Sequence, residues 1–229
     1  PELNDDINLR GTKNIISYAN SNNIKKIIFA SSAAVYGNCE DVPLVEESAG
    51  DCRSPYAESK FQSEKDLLSL MSRETQVHIL RFFNVYGPGQ DANSNYAAVI
   101  PSFIQRITSG QSPTIFGDGS QSRDFIAVSD VVNLITQILS NHNNTQNGIY
   151  NVATQTETSI NELLRIITTS ISEIDNTIEI PEIRYEQKRL GDITSSCADI
   201  SKVVNSFGWS PKIDLAKGIK SLVEFELRG

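Results

Sequence analysis

"IIFASSAAVYG" (residues 27–37) begins as an apolar run and closes on two serines, two alanines and a glycine. A short apolar run bounded by turn residues is the pattern of a strand buried on both faces, as in a parallel sheet. Its polar end matters as much as its apolar one. Open α/β sheets bind their ligands just beyond the carboxyl ends of their strands, and Ser31 and Ser32 stand at such an end.

Working outward, residues 5–22 place Ile7, Ile15, Ile16 and Ala19 at near-helical spacing, and "NSNN" (20–23) ends that run. Residues 33–54 read as irregular. A helix begins near Pro55, with Ser54 as its N-cap and the proline in its first turn, and runs to about Arg73. "QVHILRFFN" (76–84) is a second strand ending in Asn84. A loop (86–95) and a helix (97–110) closed by Gly110 follow. "PTIFGDGSQSRDFIAV" (113–128) reads as a hairpin around Gly117-Asp118-Gly119. Glycines tolerate positive φ there, which explains "GDG" better than a phosphate loop does. Beyond it come a helix at 131–141 capped by Asp130, a strand at 148–153 and a helix at 160–171 capped by Ser159. Helices at 200–207, capped by Asp199, and 214–227 end the chain. Strands alternating with helices imply an α/β fold with a mostly parallel sheet.

The 229 residues, 39% of them hydrophobic, suffice for one large or two small domains. A net charge of −8 argues against nucleic acid or an anionic membrane as the main partner. Two histidines and three cysteines (Cys39, Cys52, Cys197), with no CxxC pair, argue against zinc, and no metal is expected. Reduced thiols fit a cytoplasmic protein, and no apolar run reaches membrane-spanning length.

"SPYAESK" (54–60) places Tyr56 and Lys60 four residues apart, on one helical face. A phenol with a pKa of about 10 is a poor base at neutral pH, and a neighbouring ammonium favours the phenolate. The spacing alone arises by chance in many proteins. Ser32 upstream and Asn84 at the tip of the next strand supply the context that a lone pair lacks.

In combination, "SSAAVYG", "SPYAESK" and "RFFNVYGP" resemble the extended short-chain dehydrogenase/reductase family, and within it nucleotide-sugar epimerases of the UDP-glucose 4-epimerase type. The likeness runs from "INLRGTKNII" (7–16) to the last helix. It implies NAD as cofactor and a UDP-sugar as substrate. Tyr56 would be the acid–base, Lys60 its neighbour and a ribose ligand, and Ser32 the hydroxyl at the sugar's O4. Asn8, Ser31 and the backbone at Ala30 and Phe82 would lie on the cofactor side. Asn84 would meet the diphosphate, Val99 and Phe116 the uridine, Arg123 and Arg189 the diphosphate, and Asp192 the ribose. On independent grounds, planar arginine donors suit a diphosphate. Ala33 and Ala34 stand where the family's dehydratases and decarboxylases carry acidic residues, so the resemblance implies C4 epimerisation through a transient 4-keto sugar. Ser196 matches a position over the sugar's 2-substituent, and its small size favours an N-acetylhexosamine over a plain hexose. "YAAVIP" (96–101) and "CADISK" (197–202) are similar to UDP-N-acetylglucosamine 4-epimerases in the same sense.

A dinucleotide-binding fold opens with a strand, a glycine-rich turn and a helix whose N-terminus receives the pyrophosphate. No GxxGxxG occurs in these residues. The expected architecture is therefore a partial Rossmann-like parallel sheet without its first strands and a smaller C-terminal α/β substrate-binding domain. Residues 1–85 would form the first, with segments near 120–155 returning to it, and 86–229 mainly the second. Such a chain is expected to be inactive alone and to self-associate through the strand edge at 25–30, whereas the full-length parent would be a homodimer. The alternative is a non-catalytic sugar-nucleotide-binding module.

Overall fold

Parallel pairing of the three apolar runs organises the first half of the computed structural model, which describes residues 5–39, 41–90, 99–141, 147–189 and 191–228. β1 (Lys26–Ser32) pairs with β2 (Gln76–Phe82), which pairs in turn with β6 (Gly148–Val152). The register sets Ser32 opposite Phe82 and Phe82 opposite Val152, so the strands' carboxyl ends are level. Before β1, a π-helical turn (Asp5–Arg10) runs into α1 (Gly11–Ser21). After it, a 3-10 turn (Ala33–Tyr36) replaces the expected irregular start, with the Ser32 hydroxyl accepting from the Ala34 N–H. Gly37 follows at φ +60°, and a Cβ there would lie 1.7 Å from the Asp51 carbonyl oxygen, so only glycine lets these two segments meet.

α2 (Pro55–Leu70) begins as its sequence dictates. Ser54 accepts from the Ala57 N–H at 3.1 Å, and Pro55 takes the first turn, where no N–H is needed.

Chain contacts divide the molecule into two units. The first comprises residues 1–83, 132–155 and 198–210; the second comprises 84–131, 156–197 and 211–229. The division falls after Phe83, two residues before the boundary read from the sequence, and it gives the first unit a late segment, 198–210. A bridge between Leu44 and Ala198 and a bond from Asn151 Nδ2 to the Asp199 carbonyl hold that segment in place.

In the second unit β3 (Asn84–Tyr86) lies parallel to β5 (Ser122–Ala127), and β5 pairs antiparallel with β7 (Glu157–Ser159). The hairpin expected over 113–128 does not form. Gly117 and Gly119 do adopt φ +78°, but the strands they separate take different partners. β4 (Thr114–Phe116) pairs with β8 (Arg184–Glu186) instead. Gly119 has a further role, since a Cβ there would strike the Asn161 side chain at 2.2 Å.

The helices of this unit are α3 (Val99–Thr108), part of α4 (Val128–Ser140), α5 (Ile160–Ile174) and α7 (Leu215–Arg228). Ile100, Phe103, Ile104 and Ile107 of α3 meet Leu163, Leu164, Ile167 and Ile171 of α5 and Ile219 and Val223 of α7 in one apolar core. The i, i+3, i+4, i+7 spacing puts each set on a single helical face. Ser159 caps α5 as expected. Asp130 does not cap α4 but lies inside its first turn, where its carboxylate accepts from the Lys212 and Ile213 N–H groups. Asp199 accepts from the Ser201 N–H ahead of α6 (Ser201–Phe207), whose N-cap is Ile200. Among the described residues no helix is long and apolar enough to cross a membrane.

Candidate active site

In the first unit, the exposed end of the parallel sheet carries the candidate proton-transfer groups. Lys60 donates to the Ala30 carbonyl at 3.0 Å, which fixes α2 to the end of β1. Its ammonium lies 5.0 Å from the Phe29 ring centroid and 5.8 Å from that of Tyr56. Burial pulls the Lys60 pKa down from its ordinary value. Tyr56 is 41% exposed, and its hydroxyl has no partner among the described residues. Ser32 keeps its own hydrogen to give, because its oxygen serves only as acceptor for Ala34.

The side chains of Ser31 and Asn8, both expected on the cofactor side, have partners within the protein. The Ser31 hydroxyl is buried and donates to Glu64 Oε1 at 2.5 Å, so it is committed inside the protein rather than toward a ligand. The Asn8 amide donates to the Ser59 hydroxyl and its carbonyl accepts from Ser63, tying the first turn to α2. Phe82 is half-buried at the end of β2, beside Ser32 in the register.

Behind this edge lies a buried polar network that the sequence reading missed. Arg81 makes a bidentate pair with Glu64, Nε–Oε1 2.9 Å and Nη2–Oε2 2.6 Å, and both side chains are 1% exposed. Its Nη1 also donates to the Glu46 carbonyl and the Tyr36 hydroxyl. Tyr36 donates onward to Asn151 Oδ1 at 2.5 Å, and the Asn151 N–H donates to Glu46 Oε1 at 2.8 Å. Burial pushes the Tyr36 phenol up to about 12, against the pull of the Arg81 charge. A charged residue inside the apolar run "HILRFF" was the available signal, since a buried charge needs a partner.

In the second unit, a cavity of about 230 Å³ collects the substrate-side candidates Asn84, Val99, Phe116, Arg123, Arg189 and Asp192. They come from β3, α3, β4, β5 and the loop at 187–192. Arg123 donates through Nη1 to the Ser122 and Ile193 carbonyls, both at 2.7 Å, and through Nη2 to Asp192 Oδ1 at 2.6 Å. The Arg189 guanidinium stacks 3.8 Å over the Phe116 ring. The Asn84 amide donates to the Asp124 carbonyl at 3.2 Å. Phe103 and Gln121 also line the cavity and were not anticipated. Gln121 holds the Phe116 carbonyl at 2.7 Å. Ser196, expected over the sugar, is buried and does not line this cavity. Residues 96–98 of "YAAVIP", 91–95 of the expected loop and the first two residues of the helix read over 97–110 lie outside the described residues.

The pattern of the NAD dependent epimerase/dehydratase family matches residues 2–153, and the chain belongs to that family. Within it, the chain is close to the NAD-dependent UDP-sugar 4-epimerases. A putative UDP-glucose 4-epimerase of Methanocaldococcus jannaschii is 40% identical over 228 residues, covering 98% of this chain and 70% of the relative. The UDP-N-acetylglucosamine 4-epimerase of Methanobrevibacter ruminantium M1, solved with UDP-N-acetylmuramic acid, superposes with a TM-score of 0.87 at 35% identity, covering 98% and 70% of the two chains. The UDP-glucose 4-epimerase of Thermotoga maritima, solved with UDP-glucose, gives 0.84 at 30% identity, covering 95% and 68%. The α/β fold with a Rossmann-like parallel sheet expected from the sequence agrees with these neighbours.

Proposed function

We propose that this chain supplies the substrate site and the proton-transfer groups of a UDP-sugar 4-epimerase, with a UDP-N-acetylhexosamine as substrate. The observation that carries the reading is the cavity in the second unit. Six residues far apart in the sequence converge there on an aromatic face, two guanidiniums and a carboxylate, the chemistry that a base, a diphosphate and a ribose require.

The donor set at the sheet end fits a dinucleotide. Lys60 spends one of its three N–H bonds on Ala30, and the other two have no partner among the described residues, so they suit ribose hydroxyls. NAD, when bound there, supplies the acceptor and the donor of hydride at C4. Tyr56 takes the O4 proton and later returns it, with its hydroxyl open to substrate and the Lys60 charge against its ring. Ser32 donates its hydrogen to O4. Arg123 and Arg189 hold the diphosphate while the sugar turns between the two half-reactions. Ala33 and Ala34 offer no acid for elimination or decarboxylation, which favours epimerisation. The likeness to an N-acetylglucosamine enzyme favours the N-acetylated sugar; Ser196 enters through the family resemblance alone, since it is buried outside the cavity.

Interconversion of UDP-N-acetylglucosamine and UDP-N-acetylgalactosamine with added NAD, measured in a form that also carries a glycine-rich dinucleotide-binding turn, tests the chemistry and each variant below. Tyr56→Phe should lower kcat at least ~10²-fold with little change in KM, because general acid–base transfer contributes roughly 10²–10⁴. Near-normal turnover by that variant would withdraw the assignment. Ser196→Tyr should depress the N-acetylated reaction more than UDP-galactose turnover, and equal losses would remove Ser196 from substrate selection.

A further inference from the structure

Three residues of α2 share one face, and two of them grip the end of β1. Tyr56, Lys60 and Glu64 recur at i, i+4 and i+8, the spacing of a single helical stripe. Lys60 donates to the Ala30 carbonyl at 3.0 Å, and Glu64 accepts from the Ser31 hydroxyl at 2.5 Å. Consecutive strand residues are thus tied to the helix that carries the candidate base. The second tie is the deeper one, with Ser31 3% and Glu64 1% exposed. We propose that Ser31 is a positioning residue, which acts through Ser32 by holding the Ser32 hydroxyl outward, to where the sugar oxygen would lie. The inference rests on the proton-transfer reading of Tyr56 and Ser32.

Side chains along a strand alternate between its two faces. Burial follows that rule here: Ala30 is exposed, Ser31 buried and Ser32 half-buried. Ser32 is still in extended backbone, at φ −145° and ψ 147°. With Ser31 bonded inward to Glu64, the next side chain must turn outward. Pairing with β2 sets Ser31 opposite Arg81 and fixes where the strand lies, but not how far its end rolls toward α2. The Ser31 bond fixes that roll. Glu64 is a firm acceptor for it, because Arg81 grips both carboxylate oxygens, at 2.9 and 2.6 Å. Removing the Ser31 hydroxyl leaves this Arg81–Glu64 pair intact, so the change loosens Ser32 without dismantling the network behind it.

A double-substitution cycle tests this, in kcat for UDP-N-acetylgalactosamine turnover with added NAD. The form assayed also carries a glycine-rich dinucleotide-binding turn. Ser31→Ala should lower kcat about tenfold, since a misplacement of about 1 Å can cost on the order of 10²-fold. KM should stay within about twofold, as for a contact that matters only in the transition state. In a Ser32→Ala background the same change should cost less than about twofold, because the group it positions is gone. Ser31→Cys, close in volume with a far weaker donor, should give the same signs and replaces the alanine variant if that one fails to fold. A merely structural serine would give equal losses in both backgrounds, or a raised KM at unchanged kcat, and either result overturns the proposal. A second readout needs no cofactor. In the 229-residue chain, amide exchange at Ala34, whose N–H bonds the Ser32 oxygen, should quicken about tenfold in Ser31→Ala while Ile79 and Leu80 keep their rates. Unchanged exchange at Ala34 also overturns it. If Tyr56→Phe and Ser32→Ala both keep near-normal turnover, the proton-transfer reading fails and takes this inference with it. If both lose turnover but Ser31→Ala costs as much with Ser32 absent, only the inference falls.

Discussion

The molecule contains two arginine–carboxylate pairs that look alike in distance and differ in everything else. Arg81–Glu64 in the first unit is 1% exposed on both sides and is bidentate, with every remaining Arg81 nitrogen spent on Tyr36 and Glu46. Arg123–Asp192 in the second unit is monodentate and about a fifth exposed, and it faces a cavity. The first pair is saturated and has nowhere to go. The second leaves the Arg123 Nε and one Nη2 hydrogen without a partner among the described residues. Burial disfavours the charge on Arg81, but Glu64 and the Tyr36 oxygen outweigh it and hold its pKa above the ordinary value. A short ion pair is therefore not evidence of one role; the number of remaining donors and their access to solvent decide how firmly it anchors the fold.

The largest effect that would break this contrast is at Glu64. Glu64→Ala leaves Arg81 buried without its counter-ion and should cost about 3–5 kcal/mol in chemical denaturation. Removing both charges together, as Glu64→Leu with Arg81→Met, should cost less than the single change. A single-variant loss below about 1 kcal/mol would mean that the pair is no anchor. Next in size is a pH effect in the same unit. His78 is fully buried beside Tyr150 and Phe207, and burial, helped by nearby Lys26, depresses its pKa from 6.5 to about 4. The unfolded chain therefore binds a proton that the folded one refuses. Stability is full above about pH 6.5, falls as the pH drops toward 4, and flattens below, by about 3 kcal/mol in all. His78→Phe should flatten that part of the pH–stability curve, and an unchanged slope would assign it to other groups. The smallest effect is at Asp192. Asp192→Asn should change stability by about 1 kcal/mol or less in chemical denaturation, because its pair is part-exposed. A loss like that of Glu64→Ala would erase the distinction between the two pairs.

Much of the fold was legible in the sequence because the signals were local. Ser54 before Pro55, Ser159 before Ile160 and the apolar runs at 27–31 and 77–80 each state their structure within a few residues. The failures share one cause, partner choice at long range. "GDG" announces positive φ correctly, but no nearby residue says that Thr114–Phe116 will pair with Arg184–Glu186 and not with the strand just after the turn. Asp130 has the residue type of a cap, yet its acceptors are used by backbone more than eighty positions away. At the candidate site, Arg123, Arg189 and Asp192 were readable from the motifs around them. That Arg123 and Asp192 would hold each other was not, since a motif names residues and leaves their contacts in the absence of ligand unstated. Ser31 shows the same limit: its place in a serine pair says nothing of Glu64, the partner that its hydroxyl takes thirty-three positions away.

The division of the chain has a consequence for how it is made. The first unit takes residues 132–155 and 198–210 as well as 1–83, and the second begins before the first is complete. A ribosome delivers residues in order, so the first unit cannot close until the segment that bridges Leu44 to Ala198 has left the exit tunnel. Until then Leu44 and the Asn151 amide have lost partners that lie some fifty to one hundred and fifty residues downstream, and nascent chains wait with apolar strand faces uncovered. Folding of such interleaved units is slow for their size, since loop closure precedes the contacts that reward it.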